Sequence, residues 1–491
     1  MKLPKDDRVI VTGLFGLAFT VRLVSLVVLH RLAAPRGGPF LGLDSTAFLE
    51  RSQALALSSF VVPDHPIAVF RDMAVAHYYL FAAAIRWLGA DLFGLQLLNG
   101  TLIALVAPLT YLWCRRIAPA AARPAGVIVA LHPSLVTLGA LDLLKDPSIV
   151  FFTSLAIWAL VRTVDGSRAR RTVCFTLVAS VALIYLRLDR FYIAAYVEFA
   201  ALVAMLYVLV RGARPGRPWL AAAALVGVVL IAEVVPVRLG WPSSVTSMTR
   251  AIGWAIDVPR LRDYAPGLID DLVPDDATPA PEGAGPPQGR IDAPSRTGGG
   301  VTVVAASFDR AVRVPQPATP SQPGAAPAPV RVLRALESFP APIPQLFTGS
   351  VNLVRRLYGP FVWIVPERWD LRTILTNDYP MYPGMLLWYA FMPMIAIGLA
   401  RTGWRLATLE RLDFGTILVW LFTCMFLGQY LLTNLAYRHR ETMVPFLFVF
   451  GLIGWPAGWT RNGKIAYGIY WSSIVLVAIA HLWLRFAIGA R

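Results

Sequence analysis

The sequence predicts an all-α polytopic membrane protein, and three observations point to it. Of 491 residues, 57% are hydrophobic and only 15% are charged, a balance that an ordinary soluble globular domain does not have. The apolar residues form about eleven continuous runs of roughly twenty, the length of a bilayer-crossing helix; a transmembrane β-barrel would show alternating segments of about ten. Cations gather in alternate short loops, as the positive-inside rule requires. The formal charge of +16, from 45 Lys+Arg against 29 Asp+Glu, is therefore read as a topology signal. No basic patch with interleaved aromatics suggests a nucleic-acid partner.

The elements follow in order. Val9–Leu29 is the first run, preceded by Lys2, Lys5 and Arg8. It exceeds a signal-peptide h-region and contains Arg22, so it reads as an uncleaved span. Residues 32–90 form the first outer loop. Within it, Ser45 is expected to cap a short helix from Thr46 to about Leu57, with Phe48, Leu49, Ala54 and Leu55 on its apolar side. This would hold Asp44 at a helix start near the membrane surface. Ala74–Ala90 reads as an amphipathic interfacial helix with Arg86 snorkelling at its end; counted as a span, it would reverse every later loop. The next spans are Leu92–Trp113, Gly126–Leu141, Ile149–Val161, Val173–Leu186, Phe191–Val210 and Trp219–Val237. Met385–Ala400, Phe414–Thr433, Met443–Trp459 and Ile465–Trp483 complete the set.

Three regions result: an N-terminal transmembrane module (1–239), a large extracytoplasmic loop (240–382) and a C-terminal transmembrane module (383–491). Residues 275–330, rich in Pro, Gly and Ala, are expected to form a disordered insert. Cys114, Cys174 and Cys424 lie in or at the end of apolar runs, with no CxxC spacing, and read as small core residues.

Sidedness follows from the loops. Arg115, Arg116 and Arg123, then Arg162, Arg168, Arg170 and Arg171, then Arg211, Arg214 and Arg217, and later Arg401, Arg405, Arg411, Arg461 and Lys464 mark the cytoplasmic face. The N-terminus joins them, and Arg491 falls outside. The opposite loops carry charges that topology does not call for: Asp44; Asp142, Lys145 and Asp146; Arg187, Asp189 and Arg190; and Arg438, His439, Arg440 and Glu441. Charges clustered at span ends mark a functional site by default. Pro147 at the opening of a helix fixes Lys145 and Asp146 at its entrance, where a lysine and a positive helix end suit a phosphate. The alternative is an interfacial loop whose Lys145 and Asp146 pair with each other. Arg438 and Arg440 suit a phosphate through bidentate hydrogen bonds, or else anchor the interface. Arg187 and Arg190 have the same two readings, with Asp189 as a local neutraliser.

Four stretches carry a resemblance: the outer-loop Asp44 after the first span, "LLNGTLIALVAPLTYLWCRR", "HPSLVTLGALDLLKDP" and "YRHRETMVPF". In their order and sidedness they resemble GT-C membrane glycosyltransferases, closest to the bacterial protein-mannosyltransferase and aminoarabinose-transferase branch. The likeness covers about Val9–Val210 and Leu353–Trp459. It implies a bacterial plasma-membrane enzyme that works on the extracytoplasmic face. A polyprenyl-phosphate sugar would be the donor, membrane lipid would hold its chain, and a glycan, lipid or protein would be the acceptor. By resemblance Asp44 is the catalytic carboxylate that acts near the acceptor or a metal. Where the family often has an acidic doublet, Asp44 is followed by Ser45, which leaves use of a divalent cation open.

Residue chemistry runs the same way. A carboxylate must take the acceptor proton, a role that falls on Asp44, and cations must stabilise the departing phosphate. Lys145, Arg187, Arg438 and Arg440 are the donor-binding candidates; Asp146, Asp142 and His439 are a second acid or support. A single reactive carboxylate suggests inversion. Three other readings remain: an envelope polysaccharide polymerase or ligase, against which Asp44 speaks; a transporter or flippase for lipid-linked sugars, for which no internal repeat is visible; and a non-catalytic membrane scaffold.

Overall fold

The computed structural model describes residues 4–33, 43–58, 60, 75–141, 143–164, 169–211, 218–238, 382–432, 437–455 and 460–489, with isolated positions between 243 and 358. Most of the expected 240–382 loop, its 275–330 insert included, lies outside them. Among the described residues all regular structure is helical. The helices are α1 (Lys5–Ala33), α2 (Leu43–Leu57), α3 (Val75–Leu88), α4 (Leu92–Ile117), α5 (Pro119–Leu131), α6 (Pro133–Leu141), α7 (Asp146–Val164), α8 (Ala169–Val210) and α9 (Pro218–Arg238). Then follow α10 (Tyr382–Ala407), α11 (Phe414–Leu432), the single turn α12 (Tyr437–Arg440), a 3-10 turn (Glu441–Met443), α13 (Val444–Gly454) and α14 (Arg461–Gly489). Residues 1–258 and 345–491 belong to one compact unit, so the two transmembrane modules read from the sequence pack as one body.

A helix stands at each expected run. Among the described residues, seven are long and apolar enough to cross a bilayer, or eight if α5 and α6, bent by 49° at His132, count as one crossing. This makes the chain an integral membrane protein of helical class. α11 and the Glu441–Gly454 stretch are apolar but shorter than that limit.

Two of the expected runs are joined in α8, whose 42 residues would extend about 60 Å if straight, twice a hydrocarbon core. It is not straight: Arg190 has non-helical backbone angles (φ −147°, ψ 81°). Neighbours on both sides of the break show that the chain reverses there. Phe175 packs under Arg162 near the end of α7, and Tyr185 stacks on Phe152 further back along it. Beyond the break, Tyr207 donates to the Glu410 carbonyl at 2.6 Å, near the start of α11. The start of α11 lies against Val161 and Ile117, the ends of α7 and α4.

The basic loops thus converge on one end of the bundle. Asp7 in the first turn of α1 is buried there, pairs with Arg115 and accepts from the Tyr111 hydroxyl at 2.7 Å. Between apolar helices in lipid, small residues let backbones approach. α10 and α13 cross in this way: a Cβ on Gly398 would collide with the Phe450 carbonyl, and one on Gly454 with the Met394 carbonyl. α14 is peripheral, tied on by Tyr467 and Tyr470 hydroxyls donating to the Ala390 and Tyr389 carbonyls, each at 2.9 Å.

The α2–α3 pair corrects one expectation. Ser45 is not a cap: the helix already begins at Leu43, and the serine is fully buried inside it. Arg86, exposed near the end of α3, donates to the Ala56 carbonyl at 2.8 Å and so satisfies the C-terminal end of α2.

Candidate functional site

The site is built on the turn Leu143–Asp146, between α6 and α7. A turn buried in an apolar bundle needs partners for its backbone groups, because no lipid can supply them. Most of the partners here are side chains. Leu143 N–H donates to Ser45 Oγ at 3.1 Å, and the Leu143 carbonyl accepts from His77 Nε2 at 3.0 Å. The Leu144 carbonyl accepts from Asn99 Nδ2 at 3.0 Å. The Lys145 carbonyl accepts the Ile149 N–H at 3.1 Å and the Ser148 hydroxyl at 2.6 Å, which starts α7. Helices α2, α3 and α4 therefore clamp the turn, and the first turn of α2, which contains Asp44, is tied to it through Ser45.

His77 is a member of this site that the sequence did not single out. Nε2 faces a carbonyl, which only accepts, so Nε2 carries the proton. Its Nδ1 lies 3.3 Å from Ser148 Oγ. Burial pushes the imidazole down to about 4, so it is neutral at physiological pH.

Two charged pairs lie at this end of the bundle. Asp146, first residue of α7, accepts from an Arg190 terminal nitrogen at 2.8 Å, and both side chains are buried. Arg190 also donates to the Tyr192 hydroxyl at 3.3 Å. Asp146 is thus paired with Arg190, 44 residues further along the chain. Lys145 is half-buried and acts electrostatically on His77 and Asp189. Asp189 interacts electrostatically with Arg190 and Lys145, and its Oδ1 accepts the His77 backbone N–H at 3.1 Å, at the positive end of α3.

The second pair is Arg440–Glu441, at 3.0 Å and fully buried. Arg440 stacks over Trp388, 5.0 Å from the ring centroid, and donates to the Leu357 carbonyl at 3.3 Å. His132, at the α5–α6 bend, has Nδ1 4.0 Å from Glu441. Tyr430 on α11 interacts electrostatically with Arg190, Arg440 and Glu441, so it lies between the pairs. A Cβ on Gly384 of α10 would run into the Ser134 hydroxyl and approach His132 Cε1 to 3.2 Å, so a larger residue there would have to displace the Ser134 side chain.

The expected residues thus divide. Lys145 and Asp146 share the clamped turn, and Arg190, read only as a companion of Arg187, joins them. Arg187 pairs with Glu233 on α9 at 2.8 Å. Arg440 belongs to the cluster but is committed to Glu441 and Trp388. His439 is half-buried beside it. The side chains of Asp44, Asp142 and Arg438 lie outside the described residues. Among the described residues no three His, Cys, Asp or Glu side chains come together as metal ligands.

Chemically, this is a rigid, charge-balanced end of a membrane bundle, opposite the basic loops, with a lysine at a helix N-terminus. That combination can hold an anionic group and move a proton next to it. No protein-family model matches the chain, and no curated protein matches it.

Proposed function

We propose that this chain is a membrane glycosyltransferase of GT-C type with about eleven transmembrane helices. It would move a hexosyl or pentosyl unit from a polyprenyl-phosphate donor to a glycan, lipid or protein acceptor of the bacterial envelope. The N-terminus would be cytoplasmic and the active face extracytoplasmic. One observation carries this reading. Segments far apart in the chain — the Leu143–Asp146 turn, the α8 reversal and the turn before α13 — bring their charges to the end of the bundle away from the basic loops. A lipid-linked anion needs its headgroup site there, with its chain between helices.

In this mechanism Asp44 takes the proton of the acceptor hydroxyl as that oxygen bonds to the sugar C1. The bond from C1 to the phosphate oxygen breaks, and the electron pair leaves with the phosphate. Lys145, at the positive end of α7, and Arg438 bind that phosphate before and after cleavage. Arg190 would be steered by Asp146, and Arg440 by Glu441, so both support the site's shape. The test is an assay of purified protein with a panel of polyprenyl-phosphate sugars, following consumption of the lipid-sugar. Consumption of none of them, with folded protein, would sink the reading.

One feature favours a transporter of lipid-linked sugars as the second reading. The α5–α6 element is broken within the bundle, and Arg22 holds the break by donating to the Ala130 carbonyl at 2.9 Å and the Val129 carbonyl at 3.5 Å. Discontinuous helices often line transport sites. Movement of the intact lipid-sugar between leaflets of proteoliposomes, without its consumption, would decide for this alternative.

A further inference from the structure

At the end of the α2–α3 pair away from the clamped turn, large apolar side chains gather on the surface. The two helices run side by side in the same direction. Phe48 lies against His77 and Tyr78, with ring centroids 5.2 and 5.1 Å apart, Arg51 donates to the Tyr78 hydroxyl at 3.0 Å, and Arg86 donates to the Ala56 carbonyl. Ser45 and His77, which hold the Leu143–Asp146 turn, stand at one end of the pair. Trp87 stands at the other, about 15 Å along α3 from His77.

Leu57 is 84% exposed, Trp87 73% and Leu88 80%. Outward-facing side chains of helices that can span a membrane, such as Leu206 and Ile469, are 61% and 62% exposed. Yet α2 and α3 have 15 and 14 residues, too few to cross. Phe60 completes the patch. Its ring centroid is 5.4 Å from that of Trp87 and 6.2 Å from that of Tyr79, whose hydroxyl donates to the Phe60 carbonyl at 3.3 Å. Phe60 holds this place with a left-handed backbone (φ 67°), which a bulky residue seldom adopts.

Tether, composition and charge point to lipid as the cover of this patch. Gly89 (φ 62°) turns the chain out of α3, and α4, long and apolar enough to span, begins at Leu92. Four residues reach at most about 14 Å, so Leu88 stands close to the start of that span. Trp and Tyr beside leucines are the side chains of a membrane–water boundary. Arg86, next to Trp87, is engaged with the Ala56 carbonyl, which suits an apolar surface better than an acidic partner.

We propose that this end of the pair is a membrane-surface foot. Leu57, Phe60, Trp87 and Leu88 enter the boundary between headgroups and acyl chains beside the start of α4, to a depth of about 5–10 Å. Zwitterionic phospholipid suffices, because the contact is apolar. From the lipid side, the foot anchors the helix pair that clamps the turn. The inference does not depend on the glycosyl-transfer reading.

The experiment is a spin-label accessibility measurement on the full-length protein in phosphatidylcholine nanodiscs. Leu57→Cys, Trp87→Cys and Leu88→Cys carry the label one at a time, in a Cys174→Ser/Cys424→Ser background that leaves the buried Cys114. Glu50→Cys, exposed on α2, is the aqueous reference. Collisions with oxygen, relative to those with a water-soluble nickel chelate, should be several-fold more frequent at the three foot positions than at Glu50. A ratio no larger than at Glu50 overturns the proposal, since the patch then faces water. Protection from both reagents also overturns it, since another segment of the chain or a second copy then covers the patch. Leu57→Glu/Trp87→Glu tests the anchoring: backbone deuterium exchange at 75–80 should rise several-fold in nanodiscs, and unchanged exchange there removes that role from the foot.

Discussion

Replacing Asp146 with Asn would keep the shape of the α7 entrance and leave Arg190 charged, buried and unpaired. Both side chains of this pair are at most 5% exposed. Breaking a buried pair by removing one partner costs about 3–5 kcal/mol, because the surviving charge has lost its compensation. The Arg405–Glu410 pair is the internal control. It has similar geometry at 2.6 Å, but its side chains are 51% and 49% exposed, and an exposed pair contributes about 0–1 kcal/mol. Asp146→Asn should therefore lower the apparent melting midpoint of the purified protein several times more than Arg405→Gln does. The double variant Asp146→Asn/Arg190→Gln should regain most of the loss, since replacing both charges of a buried pair is close to neutral. If Asp146→Asn melts like Arg405→Gln, or if the double variant is no more stable than the single one, the buried-pair account of this turn is wrong.

Other outcomes follow from the same structure. Asp44→Asn should reduce sugar transfer about 10²–10⁴-fold, the usual worth of general-base assistance, with melting close to wild type; full activity would remove Asp44 from the mechanism. Arg438→Ala should weaken donor binding and transfer together, because phosphate charge is present before and during the reaction. His77 has an ordinary value of 6.5 and a folded value of about 4, so the unfolded chain binds the extra proton first. Stability should then fall as pH drops from 6.5 towards 4, and His77→Gln should flatten that part of the melting profile. Cysteines introduced near Asp44 or within 275–330 should react with an impermeant thiol reagent applied from outside. Those near Arg168 or Arg405 should not, and the reverse pattern would invert the topology.

The helices were legible because an apolar run of bilayer length has few alternatives in water or lipid. Even the reversal at Arg190 was visible, as a charged interruption between two runs. The partnerships were not legible. Asp146 and Arg190 are 44 residues apart, and nothing local to Asp146 prefers Arg190 over the adjacent Lys145. Arg187 looked like a free cation because its acid, Glu233, sits in another helix. Ser45 looked like a cap because a small polar residue beside a helix start usually is one; here tertiary packing used its hydroxyl for the Leu143 N–H instead. His77 gave no sequence signal beyond being a lone histidine.

The antiparallel run of α7 and the first half of α8 bears on how the protein enters its membrane. Asp146 and Arg190 sit side by side at the open end of this hairpin, so the acid is synthesised before the arginine that needs it. An arginine offered alone to the middle of a bilayer costs about 2.5–3.5 kcal/mol on the insertion scale. Delivered together with Asp146, it moves as half of a neutral pair, with Tyr192 following two residues later to take a further hydrogen bond. The hairpin, and not the single helix, is then the unit that the insertion machinery releases into lipid. A change at Asp146 would be felt during synthesis, as a second half of α8 left on the wrong side, before any folded protein existed to be destabilised.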